Sequence, residues 1–126
     1  MPRKSFSSDE NTPLALPFSP AVEGAGGALY LSGQVGRDPA TGQLAEGGVA
    51  AQTEFALRGL KAVLEAAGRT LDDVVRVGVY LTDMGDYAAM NEVYARWFET
   101  PYPARTCIGV AALPLGAAVE IDLVSK

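Results

Sequence analysis

The chain has 126 residues, 48% of them apolar, and its 15 Asp and Glu outweigh 10 Lys and Arg for a net charge of −5. Histidine is absent and Cys107 is the single cysteine, which excludes an intrachain disulfide, Ser-His and Cys-His nucleophilic pairs, and an ordinary zinc site. The acidic balance opposes attraction to a polyanion, so no nucleic-acid partner is expected.

The N-terminus MPRKSFSSDE lacks the apolar segment of a signal peptide, and no run approaches the ~20 apolar residues of a membrane helix. A cytoplasmic protein without a membrane partner is expected. Length and composition fit one domain over 1–126 that opens on a polar arm, residues 1–12.

A first short strand is predicted within Phe18 to Glu23, followed by a turn at GAGG, residues 24–27. From Leu29 to Val35, Leu29, Leu31, Gly33 and Val35 alternate with Tyr30, Ser32 and Gln34, the pattern of a half-buried strand. DPATG, residues 38–42, reads as a turn, and neither glycine cluster has phosphate-loop spacing. Apolar residues at Val49, Ala56, Leu60, Val63, Leu64 and Ala67 follow the helical period, with Gly68 where a C-cap glycine belongs. Val74 to Leu81 is a valine-rich strand. A second helix from about Asp86 carries the apolar stripe Met90, Val93, Tyr94, Trp97 and Phe98, which reads as core packing. Two further strands lie within residues 102–124. The order β-β-α-β-α-β-β defines an α+β fold, one mixed sheet with two helices on one face.

Sorting the strands by their period of two places Leu29, Leu31, Val75, Val77, Val79, Val119, Ile121 and Leu123 against the helices. The opposite set mixes Tyr30, Ser32, Gln34, Arg76, Tyr80, Ala118, Glu120, Asp122 and Val124, while Arg105 and Cys107 share one face of their own strand. Such a mixture suits a subunit interface carrying a pocket better than a plainly solvated surface.

Arg105 is the first candidate for chemistry, since its planar fork clamps a carboxylate through two parallel hydrogen bonds at any physiological pH. Pro101 and Pro103 push Thr100 and Tyr102 toward extended backbone and stiffen the approach to it. The competing reading is a structural ion pair. Glu120, between Val119 and Ile121, is the second candidate, a carboxylate able to orient or deprotonate a water. In a simple hairpin turning near Pro114 the two would stand ~13 Å apart, too far for one small substrate. Either their strands are not direct neighbours, or the working pair comes from two subunits. Asp122 shares the face of Glu120 and reads as a solvated strand end. Cys107 has no histidine to activate it and is expected to offer its backbone amide. Ser32 is a hydroxyl aimed into the same face or a small residue easing a turn, and Asn91 is an interface hydrogen-bonding group or a surface amide.

YPARTCIGVAALPLGAAVEIDLV, residues 102–124, resembles the C-terminal signature of the RidA/YjgF family of reactive-intermediate enamine/imine deaminases. LYLSGQVG before DPATG, VAAQ, LKAVLEAAG, LDDVVRVGVYLTDM and YAAMNEVYARWF follow in the family's order, so the similarity covers nearly everything after Leu16. The resemblance implies a chorismate-mutase-like fold assembled as a homotrimer with pockets at the subunit interfaces. It also implies hydrolysis of 2-aminoacrylate and related imines to a 2-oxo acid and ammonia, with no metal or cofactor. Carried over by motif, Arg105 holds the substrate carboxylate with help from the amide of Cys107, and Glu120 positions the attacking water. Ser32, Gly33 and Asn91 match further pocket positions.

One departure concerns LPFSPAV, which supplies Phe18, Ser19 and Pro20 where many members have a tyrosine. By the resemblance a hydroxyl is thereby lost, which bears on the expected rate and preferred substrate more than on the reaction class. The leading expectation is a deaminase. The alternative is a non-catalytic 2-oxo-acid binding or regulatory protein that uses the same pocket.

Overall fold

A computed structural model describes residues 2–8 and 16–126. Strands β1 (Ser5–Phe6), β2 (Ala21–Glu23) and β3 (Leu29–Val35) precede helix α1 (Gly48–Ala66). Strand β4 (Val74–Leu81), helix α2 (Tyr87–Trp97), and strands β5 (Ala104–Gly109) and β6 (Val119–Ser125) complete the chain. The polar arm thus contributes a strand of its own, Ser5–Phe6, paired antiparallel to β2. The rest of 1–12 lies partly outside the described residues. The first predicted strand is shorter than Phe18–Glu23, because Phe18 stays in irregular backbone ahead of Ala21.

The α+β reading with one mixed sheet holds. The order is β1-β2-β3-β6-β4-β5, with β4 and β5 parallel and the other neighbours antiparallel. Chain reversal after α2 therefore delivers β5 to the sheet's edge, while β6 inserts between β3 and β4. The last two strands are not a hairpin, and β4 separates them.

Both helices cover one face. Leu57, Leu60 and Leu64 of α1 and Met90 of α2 are fully buried against Leu29, Val77, Val79, Val119 and Ile121. Burying each such side chain contributes roughly 1.5–3 kcal/mol. Helix α1 stops as its sequence dictates. Gly68 takes φ +75°, its N–H bonds to the Glu65 carbonyl at 3.0 Å, and the Arg69 N–H reaches the Leu64 carbonyl at 2.8 Å, a Schellman closure.

Two bulges revise the sorted faces. In β4 the register with β6 shifts between Val74 and Arg76, so Val74 enters the core and Val75, expected there, is 46% exposed. In β3 the shift falls between Leu31 and Gln34, bringing Gln34 opposite Ile121 and Val35 opposite Glu120. Gln34 therefore leaves the side of Tyr30, and Val35 joins that of Glu120. The signal for the second bulge was Gly33, a glycine inside a strand pattern.

Candidate functional site

The candidate residues gather into two clusters. Strand pairing fixes their sides. Arg105 lies opposite Val77 and Cys107 opposite Val79, so both point to the helix side, where Cys107 packs on the core. Glu120 lies opposite Tyr80 and Asp122 opposite Gly78, on the side without helices. With β4 between their strands and three residues of offset along them, the Cα atoms of Arg105 and Glu120 stand about 14 Å apart. One chain does not bring them to a common small substrate.

The Arg105 cluster is built by α2. Tyr87 and Tyr94 lie seven residues apart on one helical stripe, with Asn91 between them and half-buried. The guanidinium sits 4.7 Å from the centre of the Tyr94 ring and 5.7 Å from that of Tyr87, both cation–π distances. Arg105 donates through one terminal nitrogen to the Tyr87 hydroxyl at 3.2 Å and through the other toward the Met90 sulfur at 3.9 Å. Among the described residues no carboxylate pairs with it. The Tyr94 hydroxyl is buried with no hydrogen-bond partner among the described residues, and burial pushes its pKa up to about 12, so it stays protonated beside the cation. Burial also raises the Cys107 thiol against the pull of Arg105, which keeps it a poor nucleophile.

The Glu120 cluster is built by β3 and β6. A Cβ at Gly33 would overlap the Glu120 carboxylate, so the bulge glycine makes room for that side chain to lie across β3. The Ser32 hydroxyl donates to the Ser19 carbonyl at 2.6 Å and the Ser32 N–H to the Pro20 carbonyl at 2.9 Å. This ties the segment holding Phe18, 54% exposed, beside Gly33 and Glu120. Asp122 is not a free strand end, because it accepts a hydrogen bond from the Tyr80 hydroxyl at 3.0 Å.

Burial first, and then the Asp122 charge, raise the Glu120 pKa above its ordinary 4.5. The folded chain therefore keeps this proton to a higher pH than the unfolded chain does, and stability is lost as pH rises through the window above 4.5. Glu120→Gln removes that loss. Its thermal midpoint relative to the parent is expected to be higher at pH 7 than at pH 4 by scanning calorimetry. A pH-independent difference would contradict the assigned environment.

A groove of about 620 Å³ at the C-terminal ends of both helices, lined by Lys61, Glu65, Trp97, Pro101 and Pro103 among others, contains none of the candidate residues. Trp97 donates to the Glu54 carboxylate at 3.1 Å, a packing role. Among the described residues no helix is long and apolar enough to cross a membrane, and no group of His, Cys, Asp or Glu is arranged to hold a metal ion. The tyrosine box around Arg105 was not foreseen. Its signal was present as Tyr87 and Tyr94 at i and i+7, but Tyr94 was absorbed into an apolar stripe.

A one-sided α+β sheet of chorismate-mutase-like topology, with a guanidinium on its edge strand that no carboxylate pairs among the described residues and a bulge-seated carboxylate on its open face, defines the class. The chain belongs to the RidA/YjgF family: the family described as Endoribonuclease L-PSP matches residues 10–126. It is 46% identical over 126 residues to Protein DfrA of Myxococcus xanthus, covering 99% of this chain and 96% of that protein. Against the 2-iminobutanoate/2-iminopropanoate deaminase of Mus musculus it is 42% identical over 123 residues, 98% of this chain and 90% of the mouse protein. The crystal structure of RidA from an Antarctic Psychrobacter superposes with a TM-score of 0.90 at 43% identity, covering 98% of this chain and 99% of that one.

Proposed function

We propose that this chain hydrolyses reactive 2-enamino and 2-imino acids of the 2-aminoacrylate/2-iminopropionate type to 2-oxo acids and ammonia. The observation that carries the reading is the Arg105 guanidinium, half-buried and held on two tyrosine rings with no carboxylate partner among the described residues. A half-buried cation with no carboxylate partner among the described residues is suited to an anionic ligand. Of its five N–H donors, the two contacts to Tyr87 and Met90 engage one on each terminal nitrogen, which leaves three for a substrate carboxylate.

Glu120 is the water-positioning group. Its carboxylate accepts a proton as water adds to the imine carbon and returns it to the nitrogen; the carbinolamine then loses its hydroxyl proton as the C–N bond breaks, releasing ammonia and the 2-oxo acid. Because Arg105 and Glu120 face opposite sides of their own sheet, the working site takes Arg105, Cys107 and Asn91 from one subunit and Glu120, Ser32, Gly33 and Phe18 from the next. The assembly is a homotrimer with three such sites. Two features support it: β5 is an edge strand, and the face without helices exposes Tyr30 and Ile108, at 54% and 46%. The chain needs no cofactor, acts in the cytoplasm, and takes neither nucleic acid nor membrane as a partner.

Phe18 favours a second reading, a non-catalytic protein that binds 2-oxo acids in the same site, since no phenol stands at that position. Two measurements separate them. Imine supplied by an amino-acid oxidase and trapped with semicarbazide should disappear faster with the protein present. Calorimetric binding of 2-oxobutyrate without that acceleration would establish the binding protein and end the enzyme.

A further inference from the structure

Arg105 is held by a hydroxyl that keeps a proton of its own to donate. The Tyr87 hydroxyl oxygen accepts the 3.2 Å hydrogen bond from the Arg105 fork, so its own proton points away from the guanidinium. Tyr87 is the first residue of α2 and is 41% exposed, and its ring is fixed near the cation. Its oxygen can neither donate to Arg105, which offers no acceptor, nor be spared from accepting without releasing the fork. Accepting from a cation also polarises the phenol and strengthens it as a donor.

We propose that Tyr87 is a substrate-binding residue whose hydroxyl donates to the carboxylate of the ligand held by Arg105, one carboxylate oxygen on the fork and the other on the phenol. The assignment deepens the proposed small-carboxylate site and rests on it. Tyr94 supplies the floor but not a second donor of this kind. Its hydroxyl is buried with no partner among the described residues, and the cation lies over the ring. The pair thus divides the work of anchoring: the ring of Tyr94 supports the fork, and the hydroxyl of Tyr87 extends the fork by one donor. Acids are favoured over their amides, because an uncharged carbonyl forfeits the charge-assisted half of both contacts.

Tyr87→Phe keeps the ring and deletes the donor. Calorimetric titration with 2-oxobutyrate is expected to show about tenfold weaker binding than the parent, the loss of one charge-assisted hydrogen bond. In imine hydrolysis KM should rise by a similar factor with kcat nearly unchanged, since the carboxylate is held equally in ground and transition states. A fold-level defect would instead lower kcat and the bound stoichiometry, which overturns the binding role. Parent-like affinity in Tyr87→Phe, with the parent itself binding 2-oxobutyrate, overturns the assignment of Tyr87 alone. Failure of the parent to bind 2-oxobutyrate overturns the carboxylate site and this assignment together.

Discussion

If the proposed deaminase site is right, Arg105→Ala lowers the acceleration of imine hydrolysis by about a hundredfold or more, the loss of two charge-assisted hydrogen bonds to the proposed substrate's carboxylate. The effect is large because nothing nearby replaces the cation. Arg76 lies on the opposite side of the sheet and donates to the Thr106 hydroxyl at 3.2 Å, and Arg69 is engaged with Glu23 and Ser125. Lysine at this position is expected to recover only part of the rate. A point charge on a flexible stem cannot offer a planar fork over the Tyr94 ring. Stability should change little, since Arg105 sits on the edge strand and the core assembles without it. Semicarbazide trapping reads the rate, and circular dichroism checks the fold. A rate equal to the parent's would remove Arg105 as the anchor.

Gly36→Ala is the change with the largest expected effect on folding. A Cβ there would overlap the backbone of Gln52 in α1, and backbone atoms cannot swing aside as a side-chain tip does. The added methyl must push the first turns of α1 away from the end of β3, which costs about 2–3 kcal/mol by the usual scale of overpacking. The damage extends toward the site. The Gln52 side chain accepts the Ala118 N–H at 2.8 Å, the bond that fixes the chain just before β6 and therefore the seat of Glu120. Urea unfolding should show the lower stability, and hydrolysis should weaken even where the variant remains folded. An unchanged unfolding midpoint would mean that α1 tolerates the shift.

The sequence carries the elements well because their causes are local. Gly68 terminates α1, the alternation of Val77 and Val79 marks β4, and Gly42, whose N–H bonds to the Asp38 carbonyl at 2.7 Å, closes the DPATG turn. What fails is whatever depends on a neighbour. Perfect alternation cannot register an inserted residue, so Val75 and Gln34 were sorted to the wrong sides by bulges that only the pairing with β6 reveals. The separation of β5 from β6 by β4 is one of two alternatives the sequence allows, since no local signal distinguishes a hairpin from a crossover at Pro114.

The candidate site divides the same way. Arg105 and Glu120 stand out because charge inside an apolar strand is costly. Tyr87 and Tyr94 do not, because an aromatic on a helix looks alike whether it fills a core or floors a cation. Asp122 was underrated, since its partner Tyr80 lies 42 residues away.

The insertion of β4 between β5 and β6 has a consequence beyond geometry. A polypeptide whose anchor and whose base face away from each other is, on this reading, inert when newly made and solitary. Under the proposed inter-subunit site it becomes reactive only on meeting its own kind, and the onset of chemistry is then set by how many molecules have been synthesised.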